Sequence, residues 1–374
     1  MRKFVSLLLV LLFIGSASAQ ENTPIVIRGY GDLYVLHNKD NSVRVISANA
    51  DGNVLDTTFV KLPENLTFRY FAMGDNPDLN FKFSLHKRIK HAWRQEKTGK
   101  TLVVSDLHGS LDALVAVLKG NKVINDQLHW IYEKNQLIFL GDALDRGRDD
   151  NGIAWLLYKL EKEAEDSGGR LEFLLGNHED LILKDDIRYV NEAHLLFAAK
   201  VGIPYTELYG VDTELGRWIR NGYLALMVGD NLFVHAGLNL KMIQKSYRLG
   251  EINELAGRYI GYPTKERNNM HPRNEFLFGS EGPLWYRGLV IDSEKYPPIQ
   301  SEDLDKVLDY YGAKRIIVGH SEVDDVEWRY DGRVIAVNVK HHKNYPLDKT
   351  AGLLIEKNNI YSVTYSSKKV LLGK

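Results

Sequence analysis

Five short apolar segments of this chain each end at side chains that can bind a metal ion. The candidate ligands at these ends are carboxylates, one amide and imidazoles, namely Asp106, His108, Asp142, Asn177, His235 and His320. Hard oxygen donors and imidazole nitrogens, without a thiolate, suit Mn, Fe or Zn in a hydrolytic centre that holds two metal ions. The residue types therefore predict two such ions as the cofactors of this chain.

The spacing of the ligands suggests how they divide between the two ions. Asp106 and His108 are separated by one residue, so in an extended segment both side chains point the same way and can reach one ion. Asp142 has two carboxylate oxygens and can bridge ions that lie roughly 3.5–4 Å apart. The three remaining candidates can complete the second ion. Any one of these residues could be a cap or a surface group, and it is their recurrence in order that favours a metal site.

Four neighbouring side chains could carry the rest of the chemistry. His178 follows a candidate ligand and could protonate a departing oxygen, with Asp145 bound to its other ring nitrogen. Arg146 and Arg287 have forked guanidinium groups that match tetrahedral phosphate oxygens. His178 could instead only support a ligand, and Arg146 could form a surface ion pair. We predict a catalytic role for all four.

Strands must position these ligands. The apolar runs that precede them lie at 101–105, 137–141, 171–176, 232–234 and 315–319. We expect five strands that deliver their ligands at one edge of one sheet, where open α/β sheets bind ligands. Helical periodicity predicts helices over 111–118 and 152–163, and mostly helical structure over 180–225.

The other segments give weaker signals. Short β-branched and aromatic runs predict strands between residues 20 and 85, and again between 333 and 365. The basic segment 86–100 is interpreted as a solvated connecting helix, although a nucleic-acid-binding arm is the alternative. Residues 240–285, with three prolines, are predicted to be irregular and to form walls of a binding site.

The first residues resemble a targeting segment. Arg2 and Lys3 precede an apolar stretch over 5–14, and small residues lead to a predicted cleavage after Ala19. The stretch is short for a membrane span, so no membrane anchor is expected after cleavage, and an uncleaved anchor helix is the alternative. The sequence contains no cysteine, which excludes a cysteine-nucleophile phosphatase and disulfide bonds. We therefore expect a periplasmic or secreted bacterial protein.

Charge and length limit the classes of partner and the domain organisation. The formal net charge of −1 gives no general attraction to nucleic acid, so no nucleic-acid partner is expected. We predict a signal peptide over 1–19, a small N-terminal β-rich unit with a linker over 20–98, a catalytic domain over 99–345, and C-terminal strands over 346–374 that pack on it. The oligomeric state is left open.

The ligand segments together resemble the signature motifs of the PPP-type metallophosphoesterases. The matching motifs are Asp106-Leu-His-Gly, Gly141-Asp-Ala-Leu-Asp-Arg-Gly, Gly176-Asn-His-Glu, His235-Ala-Gly and Gly319-His-Ser. Glu322 stands where many calcineurin-like nucleases have a second histidine. The segments that begin at Asp212, Gly229 and Leu284 are similar to the Shewanella-like protein phosphatase branch.

The resemblance implies an α/β fold, a calcineurin-like metallophosphoesterase β-sandwich flanked by helices (αββα), beside the small N-terminal β-rich unit. It implies that the six candidates are the metal ligands, that His178 and Asp145 form the acid pair, and that both arginines hold phosphate. The expected activity is hydrolysis of phosphate monoesters, such as phosphotyrosine in proteins or small aryl phosphates, by a hydroxide that bridges the metal ions. The alternatives are a dinucleoside polyphosphate or nucleotide hydrolase and a non-catalytic periplasmic binding protein.

Overall fold

The computed structural model describes residues 25–73 and 76–373, and the predicted signal peptide lies outside them. Its strands are β1 (Ile25–Tyr30), β2 (Leu33–His37), β3 (Val43–Ala48), β4 (Val54–Phe59), β5 (Leu66–Phe71), β6 (Phe81–Phe83), β7 (Arg94–Gln95), β8 (Lys100–Val104), β9 (Gln136–Phe139), β10 (Arg170–Phe173), β11 (Ala225–Val228), β12 (Asn231–Val234), β13 (Arg315–Val318), β14 (Glu327–Arg329), β15 (Val334–Ala336), β16 (Ala351–Glu356), β17 (Asn359–Thr364) and β18 (Lys369–Gly373). Its α-helices are α1 (Leu111–Gly120), α2 (Asp150–Asp166), α3 (Asn177–Leu183), α4 (Glu192–Val201), α5 (Glu214–Arg220), α6 (Leu240–Gln244), α7 (Leu249–Tyr259), α8 (Thr264–Met270), α9 (Asn274–Leu277), α10 (Ser301–Tyr311) and α11 (His341–Asn344). Short 3-10 helices cover Pro77–Leu79, Tyr205–Tyr209, Tyr330–Gly332 and Tyr345–Leu347.

One six-stranded sheet carries the first three ligand segments. Its strand order is β10-β9-β8-β16-β17-β18, in which β8, β9 and β10 are parallel and the remaining neighbours are antiparallel. Every residue of β9 is buried. Parallel strands covered on both faces are near-continuous apolar runs, which explains why the sequence shows apolar runs here rather than alternation.

A second six-stranded sheet carries the last two ligand segments. Its strand order is β14-β15-β13-β12-β11-β7, and β12 is parallel to β13. The five predicted ligand strands are therefore confirmed, but the expectation that they share one sheet is wrong. Apolar periodicity identifies a strand but not its partner, and packing two sheets against each other buries both inner faces in one core.

The helices between the ligand strands agree with the sequence. The predictions over 111–118 and 152–163 correspond to α1 and α2, which pack on each other, and α2 also packs on β10. The mostly helical segment 180–225 contains α3, α4 and α5. The helix α2 ends at Asp166, shortly before Gly168 adopts a left-handed φ of 72°.

Two local predictions are wrong. The segment 86–100 forms no helix but is an irregular connection that contains the short strand β7 and the start of β8. Its side chains bond to distant parts of the chain, as where Lys90 Nζ donates to the Asn221 carbonyl oxygen at 2.7 Å. Residues 240–285 contain four short helices, α6 to α9, instead of irregular structure. Pro263 occupies the position just before α8, where a proline is tolerated, so it marks a helix start rather than a break.

The N-terminal β unit consists of strands β1 to β6, which form two three-stranded sheets. The strands predicted between residues 20 and 85 are thus confirmed. The unit packs on α2, where the ring of Phe83 stacks on Trp155 at 4.5 Å between centroids. Trp155 Nε1 donates to the carbonyl oxygen of Leu33 at 2.9 Å. Within the described ranges no helix has both the length and the apolar character needed to cross a membrane.

Candidate metal centre

Five of the six candidate ligands lie in turns that follow parallel strands of both sheets, and Asn177 is the first residue of α3. Hydrogen bonds join these turns across the two sheets. His235 Nδ1 lies 2.7 Å from the carbonyl oxygen of Leu140, and the backbone N–H of His320 donates to Asp106 Oδ2 at 3.0 Å. The ends of β8, β9, β12 and β13 therefore meet at one place.

The backbone at these turns is strained. Six of the candidate site residues have a left-handed φ, namely Asp106, His108, Asp142, Asp145, Arg146 and His320. Such conformations cost about 1–3 kcal/mol each outside glycine, persist only where the surrounding structure enforces them, and cluster at functional sites. The turns also pack closely, since a Cβ added to Gly147 would lie 2.2 Å from the carbonyl oxygen of His108.

Two groups of ligand-type side chains share Asp142. The members of each group offer atoms within 4.8 Å of one another, and the groups are His108, Asp142 and His178, and Asp142, His235 and His320. Asp142 Oδ2 lies 3.6 Å from His108 Nε2 and 3.4 Å from His235 Nε2. Asp142 is thus the one side chain common to both groups among the described residues.

Two of the three candidate histidine ligands are neutral, whereas burial disfavours the His235 imidazolium but the Asp142 carboxylate outweighs it and raises the pKa of His235 to about 9. Burial lowers the pKa of His108 to about 3 and the pKa of His320 well below its usual 6.5, so both imidazoles are neutral. Among the described residues, the buried His320 Nε2 has no hydrogen-bond partner. His108 Nδ1 lies 3.0 Å from the carbonyl oxygen of Leu144, which leaves Nε2 facing Asp142. A neutral imidazole oriented through its other nitrogen is a typical metal ligand, so this donor set fits the predicted ions.

Asp106 and Asn177 line the same cleft as members of both groups. Asn177 Oδ1 is 3.0 Å from His235 Nε2. Burial raises the pKa of the Asp106 carboxyl to about 6. The structure therefore gathers all six candidates in one place, and a cation would replace the contacts that these polar atoms make with each other.

His178 and Asp145 form a buried pair beside the ligands. His178 Nδ1 lies 2.7 Å from Asp145 Oδ2, and both side chains are almost completely buried. Burial disfavours the imidazolium, but the adjacent carboxylates of Asp142 and Asp145 outweigh it and raise the pKa of His178. Nδ1 is held by Asp145, and Nε2 accepts a hydrogen bond from Arg146 Nη2 at 3.2 Å. The ring therefore contacts Asp145 on one side and Arg146 on the other, and it borders the cleft that the candidate ligands line.

The two arginines line the cleft above the candidate ligands. The cleft has a volume of about 690 Å³ and includes Arg146, Arg287, Tyr189 and Trp285 in its walls. Arg287 Nη1 donates to the carbonyl oxygen of His320 and to a serine hydroxyl, each at 3.3 Å, which fixes its guanidinium beside the ligands. Positive charge and flat aromatic surface thus surround the open space of the cleft.

Glu179 is an important side chain to which sequence reasoning gave no role. It is fully buried and accepts backbone N–H groups from Gly176 and Asp142, each at 2.8 Å, and from Ala143 at 2.9 Å and Leu144 at 3.3 Å. One carboxylate thus holds the turn that carries Asp142. The signal was available, because a glutamate at the third position of a helix can accept the backbone N–H of the N-cap residue, as Glu179 accepts that of Gly176.

Comparison with known proteins gives consistent matches. Residues 99–324 match the family model described as calcineurin-like phosphoesterase. The chain is 29% identical over 229 residues to Shewanella-like protein phosphatase 1 of Plasmodium berghei, a match that covers 60% of this chain and 61% of that relative. It is 26% identical over 281 residues to Shewanella-like protein phosphatase 2 of Arabidopsis thaliana, covering 62% and 68%.

A solved structure matches most of the chain. It is the crystal structure of the cold-active protein-tyrosine phosphatase of a psychrophilic Shewanella species, with a TM-score of 0.79 and 27% sequence identity. The match covers 91% of this chain and 98% of that one. The likeness therefore includes the N-terminal β unit as well as the segment that the family model matches.

Proposed function

This chain belongs to the calcineurin-like phosphoesterase family of metal-dependent phosphoester hydrolases, and we propose that it is a phosphatase for phosphate monoesters, with phosphotyrosine-type substrates preferred. The family and the fold class predicted from the motifs are confirmed. The observation that carries the proposal is the pair of ligand groups that share Asp142 at the base of a cleft lined by two arginines.

In this proposal the six candidates hold two metal ions. Asp106, His108 and Asp142 would hold one ion, and Asp142 with Asn177, His235 and His320 would hold the other. When bound, such ions lower the pKa of water from 15.7 to about 7 and neutralise charge on phosphate oxygens. Mn, Fe and Zn all suit this set of donors.

The remaining side chains orient the substrate and move a proton. Arg146 and Arg287 bind the phosphate oxygens through charge-assisted hydrogen bonds. Asp145 fixes His178 through Nδ1, so that a proton on Nε2 can pass to the leaving oxygen. Binding of phosphate by Arg146 also withdraws its guanidinium from Nε2, which then faces the substrate.

The preference for aryl phosphates rests on chemistry and similarity. A phenol titrates near 10, so a phenolate leaves more readily than an alkoxide. Tyr189 and Trp285 line the cleft and offer surfaces on which an aromatic ring can pack. The similar Shewanella structure is that of a protein-tyrosine phosphatase.

A substrate panel with defined metal loading tests the proposal. Protein loaded with Mn, Fe or Zn is assayed on a phosphotyrosine peptide, a phosphoserine peptide and diadenosine tetraphosphate. We expect the phosphotyrosine peptide to be hydrolysed fastest. Asp142→Asn should abolish turnover, whereas Asp126→Asn, at a side chain that is 91% exposed, should not change it.

Two outcomes would replace the proposal. Preference for diadenosine tetraphosphate would favour the dinucleoside polyphosphate hydrolase. A metal-loaded protein that hydrolyses none of these substrates, nor p-nitrophenyl phosphate, would favour a binding protein.

We also propose export to the periplasm or medium, which rests on the N-terminal sequence alone. Mass spectrometry of protein from an expressing bacterium should show a chain that begins at Gln20. A chain that retains residues 1–19 in the cytoplasmic fraction would contradict this.

A further inference from the structure

The Asp145–Arg146 turn is held from outside the metal centre. Both residues have left-handed φ angles, 71° and 67°, which neither residue type adopts readily. The Asp145 N–H donates to Asp150 Oδ2 at 3.1 Å, and the Arg146 N–H donates to the Tyr189 carbonyl oxygen at 2.8 Å. Since strained turns persist only when neighbouring contacts enforce them, these bonds maintain the position of the proton-donor pair.

Asp150 is in turn paired with a buried histidine that none of the proposed steps uses. His194 lies in the first turn of α4 and is completely buried. Its Nε2 is 3.0 Å from Asp150 Oδ1, and its Nδ1 is 2.8 Å from Asp32 Oδ1. Asp32 lies between β1 and β2 of the N-terminal β unit and also accepts the Tyr34 hydroxyl at 2.7 Å. A chain of three buried side chains thus connects the N-terminal β unit to the Asp145–Arg146 turn.

The chemistry of His194 requires both carboxylates. An imidazolium is positively charged and is attracted to a carboxylate on each side of the ring, whereas a neutral imidazole has a single N–H and would turn a lone pair towards one of them. Burial disfavours the imidazolium, but Asp150 and Asp32 outweigh it and raise the pKa of His194 well above 6.5. Removing either carboxylate would disfavour the imidazolium and so weaken the attraction between His194 and the remaining carboxylate.

We propose that Asp32, His194 and Asp150 form a positioning network through which the N-terminal β unit holds the turn that orients Asp145 and His178. The predicted effect of this network on catalysis rests on the proposed function. The predicted effect on the rigidity of residues 145–147 does not depend on that function. The three residues are positioning residues, since none of them reaches the cleft.

The network is tested with His194→Asn and with a matched control, His37→Asn. His37 Nε2 of the same β unit is 2.6 Å from Glu214 Oε2 on α5, a contact that does not involve the catalytic turn. Hydrogen exchange is followed by mass spectrometry in peptides that cover residues 143–151. We expect exchange in these peptides to be at least tenfold faster in His194→Asn and unchanged in His37→Asn.

Kinetics give the second readout. Loss of the network should lower kcat for an alkyl phosphate by about 10- to 100-fold, the range expected when a catalytic group is misplaced by about 1 Å. KM should change little, and the loss for p-nitrophenyl phosphate should be smaller, because that leaving group needs less protonation. A merely structural role would lower the amount of folded enzyme without changing the ratio of the two activities.

Asp32→Asn provides a milder variant if His194→Asn does not fold. Asparagine can still accept hydrogen bonds from His194 and Tyr34 but lacks the charge that favours the imidazolium. It should shift exchange and the activity ratio in the same direction by a smaller factor. Unchanged exchange over 143–151 in the folded variants, or an unchanged activity ratio, would overturn the network. If the wild-type protein hydrolyses no phosphate monoester, the proposed function fails while the exchange data still decide on the positioning network.

Discussion

Replacing Glu179 with glutamine tests whether this side chain holds the turn that carries Asp142. The carboxylate accepts four backbone N–H groups, two at Oε2 and two at Oε1. A glutamine amide offers one oxygen and one NH₂ group, so two of these buried donors would face hydrogens instead of an acceptor.

The cost follows from the number of donors left unsatisfied. Each buried donor without a partner costs about 1–3 kcal/mol, so Glu179→Gln should lower the free energy of unfolding by about 2–6 kcal/mol. Since the Asp142 turn would shift, metal affinity should also fall, by about 10- to 100-fold, as for other side chains that orient metal ligands.

Urea unfolding of the metal-free protein and calorimetric titration with Mn²⁺ measure the two effects separately. The matched control is Glu172→Gln, a buried change on β10 that touches His91 and Gln95 instead of the ligand turn. The control should lower stability and leave metal affinity unchanged. A Glu179→Gln protein that is destabilised but binds Mn²⁺ with wild-type affinity would refute the reasoning.

Three further changes have defined outcomes. His178→Ala should reduce turnover of alkyl phosphates by about 10²- to 10⁴-fold, with a smaller loss on p-nitrophenyl phosphate, and equal losses in steady-state kinetics would argue against a proton donor. Arg267→Met leaves Asp180 with one cationic partner in the interior and should cost about 3–5 kcal/mol in urea unfolding, whereas Arg258→Met at an exposed pair should cost less than about 0.5 kcal/mol; similar costs would contradict the role of burial. His194 has a raised pKa in the folded state, so its stabilisation is complete below the unfolded pKa of about 6.5 and is lost as pH rises through the folded pKa. Its share of the unfolding free energy should fall by up to about 1.4 kcal/mol per pH unit above 6.5, and His194→Asn should lack this slope; identical slopes in both proteins would contradict the ion pairs.

Local sequence patterns were sufficient for the elements that carry the site. Apolar runs gave the five ligand strands because parallel strands covered on both faces must be apolar throughout. The polar residue types at their ends gave the candidate ligands, since only donor atoms of a suitable kind and spacing can serve a metal ion. The helices α1 and α2 were predictable for the same reason, because their periodicity reflects one buried face.

The local sequence pattern does not show which distant segments contact each other in the fold. Nothing in β12 or β13 indicates that they form a second sheet, because an apolar strand fits beside many partners. The non-helical course of residues 86–100 depends on acceptors such as Asn221, far away in the chain. Tertiary contacts override helix propensity there because propensity amounts to only some tenths of a kcal/mol per residue.

The sequence by itself determined which atoms could bind a cation or donate a proton, since that chemistry belongs to each side chain. Only the tertiary structure decided that Asp142 lies between two groups of imidazoles, that Glu179 holds its turn, and that Asp32 reaches His194. Distances and burial arise when separate strands and helices share one core. They set the strain and the electrostatics of the site, and no single segment contains them.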